Sequence, residues 1–265
     1  MRRTAILLAL VLAGALLTAC GKDAYTGASA TTPTTATTGA SASHPATKSP
    51  RAGSPSHAQA LAYAHAVNLT AADVPGFTPS HRAEHESAAE RRLQQQLRSC
   101  GGVAGAGALE NSHSALAEAS SPDFELKRGI LALSVSSEVT VAHTAAQAAA
   151  ALAAVRSPRV RACFSHYLSQ LLNSQQRAPG ETVLGVSIAS GTPPAPGTTG
   201  GFGWRVTAKL AIRGIPISLY FDILGFVDGP AQVTLMSSGT VRPFPAKAQE
   251  ELYSELLSRA RAQKL

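Results

Sequence analysis

The chain has 265 residues, of which 45% are hydrophobic, 15% charged and 5% aromatic; 23 Lys plus Arg stand against 16 Asp plus Glu, a formal charge of +7. That length holds one sizeable domain with an extension, or two small domains. The charged fraction lies below the ~25% of ordinary soluble chains, and the basic excess is spread too thinly to build a nucleic-acid surface.

Residues 1–20 read as a secretory signal. Arg2 and Arg3 give a positive start, and Ala5 to Leu17 is an apolar run of thirteen residues, short for a membrane span. Leu17-Thr18-Ala19-Cys20 follows, with Gly21 behind it. This stretch resembles the bacterial lipobox, Leu-small-small-Cys, which implies a thioether between Cys20 and a diacylglyceryl group and cleavage before Cys20. Two acyl chains give stable anchoring, at ~0.8 kcal/mol per buried CH₂. No other cofactor is expected.

From Thr26 to Ser56 nearly every residue is Ser, Thr, Ala, Gly or Pro, the exceptions being His44, Lys48 and Arg51. Such a stretch buries too little apolar surface to offset its ordering entropy. Residues 21–58 are therefore expected to be a disordered tether with a reach of ~30 Å.

A single folded domain is expected over 59–265. Gln59 to Val67 is Ala-rich and helical, Thr70 is an N-cap, and Pro75-Gly76 ends the turn behind it. Ala89, Leu93 and Leu97 predict a helix over 84–98, and Gly101 to Gly107 a loop. Phe124 to Lys127 opens a strand. Leu131, Leu133, Val135, Val139 and Val141 share one parity of the next strand, with Ser and Thr on the other, which predicts a half-buried strand. Thr144 caps a helix reaching Val155. Ser157-Pro158 starts another, with Cys163, Phe164, Tyr167, Leu168 and Leu171 along one face. Leu184, Val186 and Ile188 alternate, as do Phe202 to Ile212, Ile217 to Val227 and Gln232 to Val241. Gly214 and Asp228-Gly229 mark the turns between the last three. The strand over 217–227 is apolar on both faces, so it belongs at the centre. Pro245 begins a last helix with Ala248, Leu252, Leu256 and Ala260 inward. Clustered sequential strands predict an α+β domain, a mainly antiparallel sheet flanked by helices.

Cys100 and Cys163 remain once Cys20 is used. In an exported chain the pair is expected to form a disulfide, worth ~4 kcal/mol on the loop-entropy model. The rival is a partial metal site from Cys163, His166 and Cys100, which lacks a ligand. His81-Arg82-Ala83-Glu84-His85 matches the inverted zinc-peptidase spacing, but Pro79 puts His81 at a frayed helix start. Solvated helix residues and no resident metal are the expectation. The nucleophile elbow is absent: Gly185-Val186-Ser187-Ile188-Ala189 lacks the final glycine and lies in a strand. No Walker A loop or dinucleotide fingerprint occurs. No catalytic residues are assigned, and the domain is not expected to be an enzyme.

Asp222 stands out inside an apolar strand. It either meets an arginine or a helix cap, or lines a pocket. Trp204, Tyr220 and Phe226 are the other candidate pocket-lining residues, with Phe202; simple core is the alternative. Arg156, Arg159 and Arg161 cluster at a helix start, either as a solvated face or as an anion site.

Together, the Cys20 motif, the tether, Leu69–Phe77 (LTAADVPGF), Ser136–Phe164 and the two cysteines resemble actinobacterial envelope lipoproteins. They are similar to LpqN-type lipoproteins and to extracellular sensor domains of bacterial Ser/Thr kinases. The resemblance implies a PsbP-like α/β/α sandwich and carries over no functional residue except Cys20. The expected function is a non-catalytic binding or sensor module on the outer face of the cell membrane. Its partner would be an envelope protein or glycolipid, with the lipid holding the membrane and no nucleic acid involved. An envelope hydrolase with an unrecognised site is the alternative.

Overall fold

A computed structural model describes residues 55–80, 115–174 and 181–265. The signal, Cys20, nearly all of the tether, the His81–His85 motif, the expected 84–98 helix, the 101–107 loop and Cys100 lie outside the described residues.

The first helix, α1 (His57–Val67), begins two residues before the expected domain start at Gln59. The cause is an upstream cap: the Ser56 hydroxyl accepts from the Gln59 amide at 3.2 Å, and the Gln59 side chain accepts from the Ser56 amide at 2.9 Å. A 3₁₀ turn over Ala71–Asp73 follows, and then a short strand β1 (Thr78–Ser80). Three strands come next, β2 (Ala115–Ser120), β3 (Asp123–Arg128) and β4 (Leu131–Ala142). Two helices separate them from the rest, α2 (Ala145–Arg156), capped by Thr144, and α3 (Pro158–Ser174). The C-terminal third is β5 (Glu181–Gly191), β6 (Gly200–Ile212), β7 (Ile215–Asp228), β8 (Ala231–Thr240) and α4 (Ala246–Ala262).

The eight strands of the described residues join one open sheet, seven of them in the order β1-β3-β4-β8-β7-β6-β5, and every pairing is antiparallel. β2 also pairs with β4, along Val139–Ala142 and its neighbours, while β3 takes Leu131–Val135 of the same edge. The domain is thus α+β. β1 and β2 were not legible as strands; Ala-Leu-Ala-Glu-Ala-Ser in β2 has helix-forming composition, and its pairing with β4 overrides it.

Strand alternation divides the core in two. On one face, α2 and α3 cover Phe202, Trp204, Val206, Leu219, Phe221 and Ile223. On the other, α1 and α4 cover Val135, Val139, Val141, Phe226, Val233 and Leu235. β7 contributes to both, as its two apolar faces require. The β6–β7 turn carries Arg213 and Gly214 at φ 54° and 79°, so a residue without a Cβ is favoured at the second position. Gly225 is a close approach: a Cβ there would strike the Phe202 ring.

One expected face needs correction. The positions of β4 opposite its apolar row do not lie in solvent, since Ser136 and Glu138 are buried. α2 packs against both β4 and β8 and contributes to this cover. β5 also departs from simple alternation. A bulge between Val183 and Gly185 turns Leu184 outward, 57% exposed, while Val186 and Ile188 pack on the core.

The Leu69–Phe77 segment is a structural clamp. Asp73 accepts from the Thr70 amide at 2.7 Å and hydroxyl at 3.0 Å. It also takes two bonds from Arg259 of α4, at 2.6 and 3.0 Å. The same guanidinium donates to the Asn68 carbonyl, and Asn68 in turn bonds Ser137 and the Ala119 carbonyl. Burial pushes the Asp73 carboxyl up, but hydrogen bonds from Arg259 and Thr70 and the Arg259 charge outweigh it and hold it below the usual range. A depressed folded-state value stabilises the fold above the unfolded value of ~3.9 and is lost as pH falls through the folded value. Arg259→Ala is therefore expected to cost about 2 kcal/mol at neutral pH. The gap to the parent should shrink as pH falls below the unfolded value and through the lower folded one, where Asp73 becomes protonated in both, as read by urea unfolding across pH.

Candidate functional site

The candidate pocket-lining residues do not share one space: Phe202 and Trp204 lie on one face of the sheet and Phe226 on the other. Trp204 lies under α2 and α3, its ring 5.3 Å from Phe164, and is 7% exposed. Phe226 lies on the opposite face, fully buried against Tyr253 of α4. Both are core. Burial also pushes the Tyr253 hydroxyl up to about 12, and that hydroxyl donates to the Gly225 carbonyl at 3.4 Å.

Asp222 and Tyr220 share the Phe226 face by strand parity. The Asp222 carboxylate, 3% exposed, takes a fork from Arg205 across the strand pair, Nε to Oδ1 at 2.5 Å and Nη2 to Oδ2 at 2.8 Å. Gln249, in the first turn of α4, donates to Asp222 at 3.2 Å and to the Ser237 hydroxyl at 2.6 Å. Asp222 thus has the arginine that the strand position required. Its partnership raises the Arg205 guanidinium, first through the hydrogen bond and then through the carboxylate charge, against burial.

The arginine cluster divides. Arg156 donates to the Gly201 carbonyl at the start of β6, tying α2 to the sheet. Arg161 donates to the Ser190 hydroxyl on β5. Cys163 packs beside the α2–α3 core and is not a free thiol, while Cys100, its expected partner, lies outside the described residues. Gly185–Ala189 is extended strand.

Two features were not found from sequence. A buried polar strip runs along the helix-side face of β4 and β8: Glu138 stands opposite Thr234, and Ser136 opposite Met236. Glu118 of β2 sits diagonally to Glu138, and burial pushes its carboxyl up. The other feature is the outer strip of the sheet, β5 and β6, which no helix of the described residues covers on one face. On the face away from α2 and α3, Ser187 and Ala189 of β5 and Arg205 and Lys209 of β6 are exposed. Elsewhere, a depression of about 330 Å³ lies along Ser254, Leu257, Ser258, Arg261 and Ala262 of α4. Among the described residues no group of His, Cys, Asp and Glu is placed to hold a metal ion, and no helix is long and apolar enough to cross a membrane.

No protein-family model and no curated protein matches the chain.

Proposed function

We propose that this domain is a non-catalytic binding module, carried on the outer face of a cell membrane by diacylglycerol on Cys20 and held off the surface by the 21–58 tether. In this reading the sheet is of the PsbP-like sandwich kind, and a Cys100–Cys163 disulfide fixes α3. The partner is another envelope protein.

The observation that supports it is the uneven cover of the sheet. Helices bury both faces at its centre, while among the described residues no helix covers the outer strip of β5 and β6 on one face, where polar and cationic side chains are exposed. Ordered, solvent-facing backbone beside a rigid core is a common platform for a protein partner.

The test is a photoreactive residue at Ala189 in the full chain, crosslinked in the native cells, with mass analysis of the processed N-terminus. A lipid-modified Cys20 and a discrete crosslinked protein are expected. An unmodified N-terminus, or crosslinks no different from those of a photoreactive residue at the exposed Ile130, would overturn the reading.

A further inference from the structure

We infer that one end of the sheet docks on an anionic phospholipid surface, with Ile130, Ile215 and Val241 entering the interface between Arg128, Arg213 and Arg242. Five large apolar side chains are exposed among the described residues: Ile130 at 82%, Ile215 at 65%, Leu184 at 57%, Val241 at 46% and Leu265 at 39%. Three of them gather at one end. Ile130 lies in the β3–β4 turn, Ile215 leads out of the β6–β7 turn, and Val241 follows β8. The neighbouring strands β4, β8 and β7 bring these positions together. The Thr240 hydroxyl donates to the Ile130 carbonyl at 2.9 Å, and the Val241 amide donates to the Ser218 carbonyl at 2.8 Å.

Folding does not account for these side chains. Val241 has φ 71°, a conformation that glycine adopts freely and a β-branched residue rarely does. Ile130 and Ile215 face solvent over most of their surface, so neither adds much to the core. The opposite end of the sheet is built otherwise. Its β7–β8 turn is Asp228-Gly229-Pro230 and its β2–β3 turn is Ser121-Pro122, and neither exposes a large apolar side chain.

Charge and shape at this end suit a layer of phosphates over acyl chains. Arg128 precedes the Gly129-Ile130 turn, Arg213 opens the turn before Ile215, and Arg242 follows Val241; all three are exposed. Among the ion pairs of the described residues none involves these arginines. The carboxylates on the same strand ends are Glu125, bound to Lys127, and Glu181, opposite Ile212. Each apolar tip therefore stands within two residues of an arginine. The tips are also stepped. Val241 is level with Ser218, so the β6–β7 hairpin reaches three residues further, ~10 Å along the strand. A protein partner would need a separate hollow for each projection. A bilayer interface closes around them, taking the aliphatic tips among the upper acyl chains and setting phosphates against the guanidiniums. A second copy of the chain would set arginine against arginine. A partner on the β5–β6 strip and a bilayer at this end do not compete.

Trp204 is the only tryptophan and is buried, so an Ile130→Trp chain reports on the β3–β4 turn. Thr192→Trp is the control, at an exposed position just past Gly191 at the other end of the sheet. Each full chain is reconstituted with vesicles of phosphatidylglycerol and phosphatidylcholine whose acyl chains carry bromine, and fluorescence quenching is read. Quenching is expected for Ile130→Trp and not for Thr192→Trp. It should fall away in vesicles of phosphatidylcholine alone and in high salt. With Ile130→Trp as reporter, adding Arg128→Ala and Arg242→Ala should lower the docking equilibrium about thirtyfold at unchanged thermal unfolding. Adding Ile215→Ser instead should lower it about tenfold. No quenching at 130, equal quenching at 130 and 192, or quenching indifferent to lipid charge and to the arginines would overturn the inference. So would photocrosslinks from residue 130 in cells that reach a protein in place of lipid. The signal is read at residue 130 whatever holds the chain to the vesicle. An unlipidated Cys20 would thus overturn the proposed anchor and leave this result standing.

Discussion

Phe226→Ala should remove about 3–5 kcal/mol of stability, enough to unfold much of a marginal domain. Phe226 has no exposed surface and sits near the C-terminal end of β7, where Val233 pairs across the strand and Tyr253 of α4 meets its ring edge-on at 5.6 Å. Deleting the ring loses its transfer free energy and leaves a cavity between strands fixed by hydrogen bonds on both sides. The sheet cannot close that gap without shifting its pairing. Ile130→Ala makes the contrast. That side chain is 82% exposed in the β3–β4 turn, so its loss should fall within about 0.5 kcal/mol. Urea unfolding should show a lower midpoint for Phe226→Ala at an unchanged slope. A loss below 1 kcal/mol would mean that the aromatic lines a space able to collapse, as a pocket would, and does not form part of the core.

The architecture was legible wherever period and turn chemistry agreed. Phe202 to Ile212 alternates without a break, Gly214 and Gly229 fall where positive φ is needed, and the last helix buries Leu252, Leu256 and Ala260 as its spacing requires. β2 was hidden because Ala and Glu favour helix, and only a distant strand edge makes it extended. The bulge in β5 was hidden because it changes which face Leu184 takes without changing the residue pattern. The two faces of β4 show the limit of alternation itself: Ser136 and Glu138 have the composition of a solvent face, and tertiary cover buries them.

The candidate site was legible only at Asp222. A carboxylate in an apolar strand announces that a partner exists, but Arg205 is seventeen residues away and Gln249 twenty-seven. Cross-strand register brings the first and the docking of α4 the second. The open strip over β5 and β6 could not be read at all, because strand order and helix packing decide it.

Charge in this domain divides by whether it ties elements together. Arg156, Arg205 and Arg259 are tied to the sheet end, to Asp222 and to Asp73, and hold elements together. Lys209 and Arg213 have no such structural duty among the hydrogen bonds and ion pairs of the described residues. The first group should therefore govern stability, and neutralising the second should leave stability unchanged.

Arg205 offers the sharpest check on that division, because its two ends are unequal. Asp222 is 3% exposed and Arg205 is 44% exposed at the side chain. Removing the arginine leaves a buried carboxylate with Gln249 alone, whereas removing the carboxylate leaves a guanidinium that can turn to water and a Gln249 still bonded to Ser237. Arg205→Ala is therefore expected to cost about 3 kcal/mol and Asp222→Ala about 1–2 kcal/mol. Neutralising the stranded carboxylate should restore much of the loss, so the Arg205→Ala/Asp222→Asn double variant should be more stable than Arg205→Ala alone. Unfolding free energies of the parent, the single variants and the double variant form the required cycle. Equal costs for the two alanine variants, with no rescue by asparagine, would place the pair in solvent and remove the reason for a carboxylate in the central strand.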